Sequence, residues 1–169
     1  MTPPFDPFRS LEVLHRHGVR FVVVGATAAV LQGYPLPTQD LDVTPARDRE
    51  NLERLVASLE ELGARLRVPH GDGVPFPLDV SMLETATSWT LATDFGPLDL
   101  VFLPAGTTGY DDLLVDSVEK TLRDIPLVLA SVRDVIRMKE AAGREKDFMA
   151  LPALRRTLEE IRRREAEEA

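Results

Sequence analysis

Phe21-Val22-Val23-Val24-Gly25-Ala26-Thr27, followed by Asp40-Leu41-Asp42-Val43, is the stretch that decides the fold. A short apolar, β-branched run over Arg20–Val24 predicts a buried strand. Thr27–Gln32 reads as a brief helix closed by Gly33. Tyr34-Pro35-Leu36-Pro37 excludes regular helix, because proline removes a donor and restricts the residue before it. A second strand is expected over Asp40–Thr44. On it Asp40 and Asp42 project from one face, since side-chain direction alternates along a strand. Held side by side, two carboxylates repel unless a cation sits between them. Oxygen-only ligands suit Mg²⁺, which takes one or two carboxylates and completes its shell with water and substrate phosphates. Nucleotide handling is the expectation these residues raise, and the rest of the chain tests it.

The Gly25-Ala26-Thr27 junction leads a strand directly into a helix. Such a turn presents unpaired backbone N–H groups and the positive end of the helix dipole, both suited to phosphate oxygens. Glycine at position 25 lets a ligand approach the backbone closely. A mechanism with two metal ions needs a third carboxylate. Asp99, in Gly96-Pro97-Leu98-Asp99-Leu100, is the first choice because it lies among apolar residues on a predicted strand. Asp79, in Pro77-Leu78-Asp79-Val80, is the alternative in a similar context.

Working outward, helices are expected over Phe8–His17 and, as a clear amphipathic stripe, over Asp48–Leu62, each followed by glycine. Short strands are expected at Arg65–Val68, Leu78–Met82, Ser88–Thr93 and Leu98–Phe102. Tyr110–Val115 reads as a helical turn, and Val118–Leu122 with Leu127–Leu129 as a hairpin around Arg123-Asp124. Ser131-Val132-Arg133-Asp134 opens a helix to about Ala142 in capping-box fashion. Pro152 suits the first turn of a final helix running to Glu168. The expected architecture is α/β (α+β): a mixed sheet flanked by helices, one unit over 1–169 with a C-terminal helical segment over 131–169.

Twenty basic against twenty-eight acidic residues give a formal charge of −8. That argues against broad, nonspecific attraction to nucleic acid. The arginines at 155, 156 and 162–164 alternate with glutamates and read as a solvated helix face. The absence of cysteine excludes disulfides and thiolate catalysis. No apolar run approaches the roughly 20 residues of a membrane span, and the N-terminus lacks a signal-peptide pattern, so a cytoplasmic address is expected. His15, His17 and His70 have no partners at ligand spacing and read as surface residues. Trp89 reads as packing.

The pattern Gly25-Ala26-x₁₃-Asp40-x-Asp42, with Gly33-Tyr34-Pro35 and Thr38 before the carboxylates, resembles the nucleotidyltransferase superfamily related to DNA polymerase β. The segment from Val135 through Lys139 to Gly143-Arg144-Glu145-Lys146-Asp147 resembles the helix and turn after that family's catalytic sheet. Within the superfamily the chain resembles the minimal nucleotidyltransferases and the abortive-infection toxins of type IV toxin–antitoxin systems. The resemblance covers about Leu11 to Leu154. It implies that Gly25, Ala26 and Thr27 cradle a triphosphate and that Asp40, Asp42 and Asp99 hold two Mg²⁺ ions. Lys139 is implied as a contact to the triphosphate or the acceptor, while Arg144, Lys146 and Asp147 read mainly as helix-turn structure. It further implies ATP or another NTP as substrate, a tRNA 3′ end or a partner protein as acceptor, and a cognate toxin or antitoxin. The chain departs from the pattern at Ala26, where Gly or Ser is common, and at Leu36, where a basic residue is common. Those departures suit an alternative, a noncatalytic NTP-binding or antitoxin module on the same fold.

Overall fold

The computed structural model describes residues 3–169. Residues 1 and 2, where the expected 1–169 unit begins, lie outside the described residues. In chain order the elements are α1 (Pro7–Arg16), β1 (Phe21–Val24), α2 (Gly25–Val30), β2 (Leu41–Pro45), α3 (Arg49–Glu61), β3 (Arg65–Leu66) and α4 (Val80–Leu83). They continue as β4 (Ser88–Thr93), β5 (Gly96–Val101), α5 (Tyr110–Val115), β6 (Val118–Leu122), β7 (Ile125–Leu129), α6 (Val132–Ala142) and α7 (Glu145–Glu168). No helix among the described residues is long and apolar enough to cross a membrane.

The strands form one seven-stranded mixed sheet in the order β3-β4-β5-β2-β1-β7-β6. Central β1 runs antiparallel to β2 and parallel to β7, while β2 runs parallel to β5. Parallel neighbours need long crossovers, which the helices between them supply. The alternation expected of a half-covered sheet is present in β2 and β5. Leu41, Val43, Leu98 and Leu100 are fully buried, while Asp42 and Asp99 between them are only partly covered.

Local chemistry explains most boundaries. Asp6, Asp48 and Ser131 cap α1, α3 and α6 by accepting the N–H of Arg9, Asn51 and Asp134. The apolar stripe of α3 (Leu52, Leu55 and Leu59) is fully buried. Asn51 is buried with it. Its side chain bonds Arg20 N–H (2.8 Å), Arg20 C=O (3.0 Å) and Ala46 C=O (2.7 Å), pinning the start of β1 to the end of β2. The expected β6–β7 hairpin forms, with Arg123 and Asp124 at φ 49° and 65° as a two-residue turn of matching twist demands.

Three expectations need correction. Leu78–Met82 is not a strand: Asp79 accepts the Met82 N–H (2.7 Å) and caps the four-residue helix α4, burying Val80 and Leu83. The alternation of polar and apolar residues there is shared by a capped turn. The Arg65–Val68 strand shortens to Arg65–Leu66. Pro152 does not open the last helix, because α7 already runs from Glu145 with Pro152 inside it. Proline removes one interior hydrogen bond. Here the ring is on the exposed side, and the carbonyl it leaves unpaired belongs to Phe148, which is half-exposed. Buried Leu151 and Leu154 hold both sides of the interruption in the core.

Candidate active site

Register brings the acidic residues together. Val24 on β1 pairs with Asp42 on β2, Asp42 with Asp99 on β5, and Asp99 with Thr90 on β4. The Arg67 N–H, just beyond β3, donates to Thr90 C=O (3.0 Å) and extends this row. Side chains along such a row share a face. Asp40 stands immediately before β2. Its backbone carbonyl accepts hydroxyls from Thr27 (3.0 Å) and Thr38 (3.2 Å).

The row opens into a cleft of about 460 Å³. Val24 ends β1, Gly25 and Ala26 open α2, Asp40 precedes β2, Asp42 and Asp99 lie on β2 and β5, and α6, α7 and the turn between them contribute Lys139, Arg144, Lys146 and Asp147. Of the residues expected at the site, Gly25, Ala26, Asp40, Asp42, Asp99 and Lys139 all line it. Thr27 lies beneath, buried, and steadies Asp40 rather than facing the cleft. Asp79 is absent from the cleft and occupied as a helix cap, which leaves Asp99 as the carboxylate beside Asp42.

Gly25 is required by geometry. Its φ is +65°, and a Cβ built on it would lie 2.2 Å from Asp42 Oδ2. Only glycine accepts both the left-handed backbone and that approach. The glycine of the strand–helix turn therefore makes room for the carboxylate.

The electrostatics of the acids are unbalanced. Burial, then the neighbouring Asp99 carboxylate, pushes Asp42 up to about 7. Burial also raises Asp99, against the opposing pull of Arg67. Asp42 and Asp99 are thus cross-strand neighbours whose burial disfavours ionisation of both. Arg67 is the cation on this side. Its Nη2 donates to Asp99 Oδ1 (2.6 Å) and its Nη1 lies 3.9 Å from Asp40 Oδ1. With the side chains so disposed, no three His, Cys, Asp or Glu residues among the described residues converge as a metal cage. The donor chemistry nevertheless fits a divalent cation: oxygen ligands only, more acid than base, and two carboxyls whose ionisation a cation would favour.

The helix-borne side is balanced. Asp147 is fully buried and receives Lys139 Nζ (3.2 Å), Arg144 Nε (2.7 Å) and the Arg144 backbone N–H (3.2 Å). Burial alone pushes its carboxyl up, but these hydrogen bonds outweigh it and bring Asp147 down to about 2. Arg144 and Asp147 thus fix the turn between α6 and α7, as the sequence suggested, and Lys139 is tied to the same carboxylate.

Sequence reading missed two contributors. Arg67 carried no motif, and the end of so short a strand gives no register to read. Trp89 does pack, stacking on Phe76 with centroids 5.8 Å apart, but it also lines the cleft.

Solved structures share this architecture. The chain has the nucleotidyltransferase fold. The lincosamide antibiotic adenylyltransferase LnuA, in its lincomycin-bound form, is 16% identical with a TM-score of 0.58, covering 88% of this chain and 94% of that one. The antibiotic-resistance enzyme ANT(2″)-Ia, in complex with adenylyl-2″-tobramycin, is 16% identical with a TM-score of 0.56, covering 90% and 87%. A Thermotoga maritima protein assigned as a nucleotidyltransferase is 17% identical with a TM-score of 0.53, covering 94% and 97%. No family model matches the chain, and no curated protein matches its sequence. At these identities the likeness is one of fold, and it agrees with the superfamily that the Gly25 and Asp40–Asp42 pattern resembles.

Proposed function

We propose that this chain is a Mg²⁺-dependent nucleotidyltransferase that moves a nucleoside monophosphate from an NTP to a hydroxyl and releases pyrophosphate. The observation that carries it is the cross-strand pairing of Asp42 with Asp99, pressed against Gly25 at the floor of an open cleft. In this reading Asp40, Asp42 and Asp99 hold the metal. When bound, the metal neutralises the triphosphate and favours the ionised form of the attacking hydroxyl. Thr27 and Thr38 keep Asp40 at the start of β2. The Gly25–Ala26 backbone offers N–H groups to the nucleotide, and the Ala26 methyl offers no hydroxyl contact. Lys139 and Lys146 give the cleft its positive charge. In the same reading Asp99 is the base-side carboxylate and takes the proton of the acceptor hydroxyl. Catalysis of this kind rests mainly on positioning and charge.

The acceptor implied by the toxin-like resemblance is a macromolecular hydroxyl, a tRNA 3′ end or a side chain of a partner protein, within a toxin–antitoxin pair. A specific observation favours a second acceptor class. Ser88, Trp89, Thr90, Val101, Pro104 and Met138 give part of the cleft a neutral, partly apolar lining sized for a small molecule. LnuA and ANT(2″)-Ia, which share the fold, are antibiotic adenylyltransferases. Incubation with each α-³²P-labelled NTP, Mg²⁺ and either cell extract or a panel of hydroxylated antibiotics separates the classes. Label on a discrete RNA, protein or small molecule, lost in Asp42→Asn, establishes the activity and its acceptor. No label with any NTP, despite Mg²⁺-NTP binding, would instead mark the chain as a noncatalytic module.

A further inference from the structure

Arg67 stands where no sequence pattern placed a functional residue. Its backbone is fixed to β4 through Thr90, and its guanidinium reaches into the row of acids. One edge holds Asp99 at 2.6 Å and the other faces Asp40 at 3.9 Å. Two of the three carboxylates are thus engaged by one internal cation. Nη1 is buried and makes no hydrogen bond in this arrangement. A buried, unsatisfied charged donor is costly, and a planar guanidinium fork matches phosphate as readily as carboxylate. The cleft-lining cations Lys139 and Arg144 are committed to Asp147.

We propose that Arg67 is a triphosphate-binding residue that guards the metal site, exchanging Asp99 and Asp40 for the phosphates when metal and nucleotide enter together. This rests on the metal reading proposed above. While Arg67 occupies the acids, a divalent cation arriving alone meets a like charge a few ångströms away and binds weakly. Nucleotide supplies anionic oxygens to which the guanidinium transfers, freeing Asp99 and Asp40 for the metal. Metal and NTP then bind with positive coupling, each strengthening the other by the same factor.

Calorimetric titration of Mn²⁺ into the full chain, with and without a non-hydrolysable NTP analogue, tests the exchange. Trp89, the single tryptophan and a cleft residue, gives an independent fluorescence signal. In the wild type the analogue should tighten Mn²⁺ by about tenfold or more. Arg67→Met, which keeps the apolar stem, should bind Mn²⁺ alone about tenfold tighter than wild type and the analogue about tenfold weaker. Arg67→Lys keeps the charge without the fork and should fall between them. It also carries the test if the methionine variant melts early. Equal Mn²⁺ affinity in wild type and both variants, with nucleotide still tightening the metal, would make Arg67 structural and leave the proposed function standing. No Mn²⁺ binding by any of the three, with or without nucleotide, would overturn the metal reading and this proposal together.

Discussion

The cleft holds two acid clusters that solve the same problem in contrasting ways. On the helix-borne side one buried carboxylate, Asp147, is matched by two cations, Lys139 and Arg144, and its carboxyl is held down at about 2. On the strand-borne side one guanidinium serves two of three carboxylates, Asp99 and Asp40, and Asp42 is pushed up to about 7. The first cluster is complete and locks a turn. The second is short of positive charge, and a protein keeps such a deficit only where something else supplies the cation. The difference teaches that the balance of charges around an acid, more than its burial, separates a structural carboxylate from a ligand.

The strongest way to break this contrast is to remove acid from the deficient side. Asp42→Asn or Asp99→Asn should lower nucleotidyl transfer by roughly 10²–10³-fold or more while circular dichroism shows an intact fold. Removing the acid from the balanced side should do the reverse. Asp147→Ala should destabilise the chain by about 3 kcal/mol in urea unfolding, because it strands two cations and opens the α6–α7 turn. Gly25→Ala joins the two effects. Its Cβ must displace the Asp42 carboxylate, so transfer and metal binding should both fall, with about 1–3 kcal/mol of strain visible in the same melts.

Acidity sharpens the contrast further. Asp42 titrates higher in the folded chain than the ordinary value of 3.8, so its contribution is most favourable at acid pH and declines as pH rises through 7. Asp42→Asn should therefore melt several degrees above wild type at pH 8, with the gain vanishing toward pH 4. Asp147 runs the other way, contributing above about pH 4 and losing that contribution as pH falls toward 2. Asp147→Asn should melt below wild type at pH 6 and converge with it in acid. The smallest effect belongs to Asp79, the alternative to Asp99 as third carboxylate. Asp79→Ala should cost about 1 kcal/mol as a lost helix cap and leave transfer unchanged.

Much of the site was legible because it rests on local chemistry. Gly25 after an apolar run and Asp40-Leu41-Asp42 on the next strand announce themselves through turn geometry and strand alternation. The Lys139–Asp147 segment was read correctly as helix and turn. Asp99 was preferred to Asp79 in similar local sequence, and the parallel pairing of β2 with β5 sets Asp99 beside Asp42. What escaped depends on long-range register. Arg67 reaches the acids through a two-residue strand whose position in the sheet no periodicity encodes. Pro152 misled because its preference for a first turn is a local tendency. Buried Leu151 and Leu154 on either side outweigh it.

Proton release on metal binding separates a ligand-seeking acid pair from a merely strained one. Isothermal titration of Mn²⁺ with an NTP analogue at pH 6, in two buffers of different ionisation enthalpy, counts the protons expelled. A cation displacing the Asp42 proton should expel about one proton per site in the wild type and none in Asp42→Asn. Metal that binds equally well without proton release, and is indifferent to Asp42→Asn, would place its site elsewhere and reduce the acid row to a strained feature of the sheet.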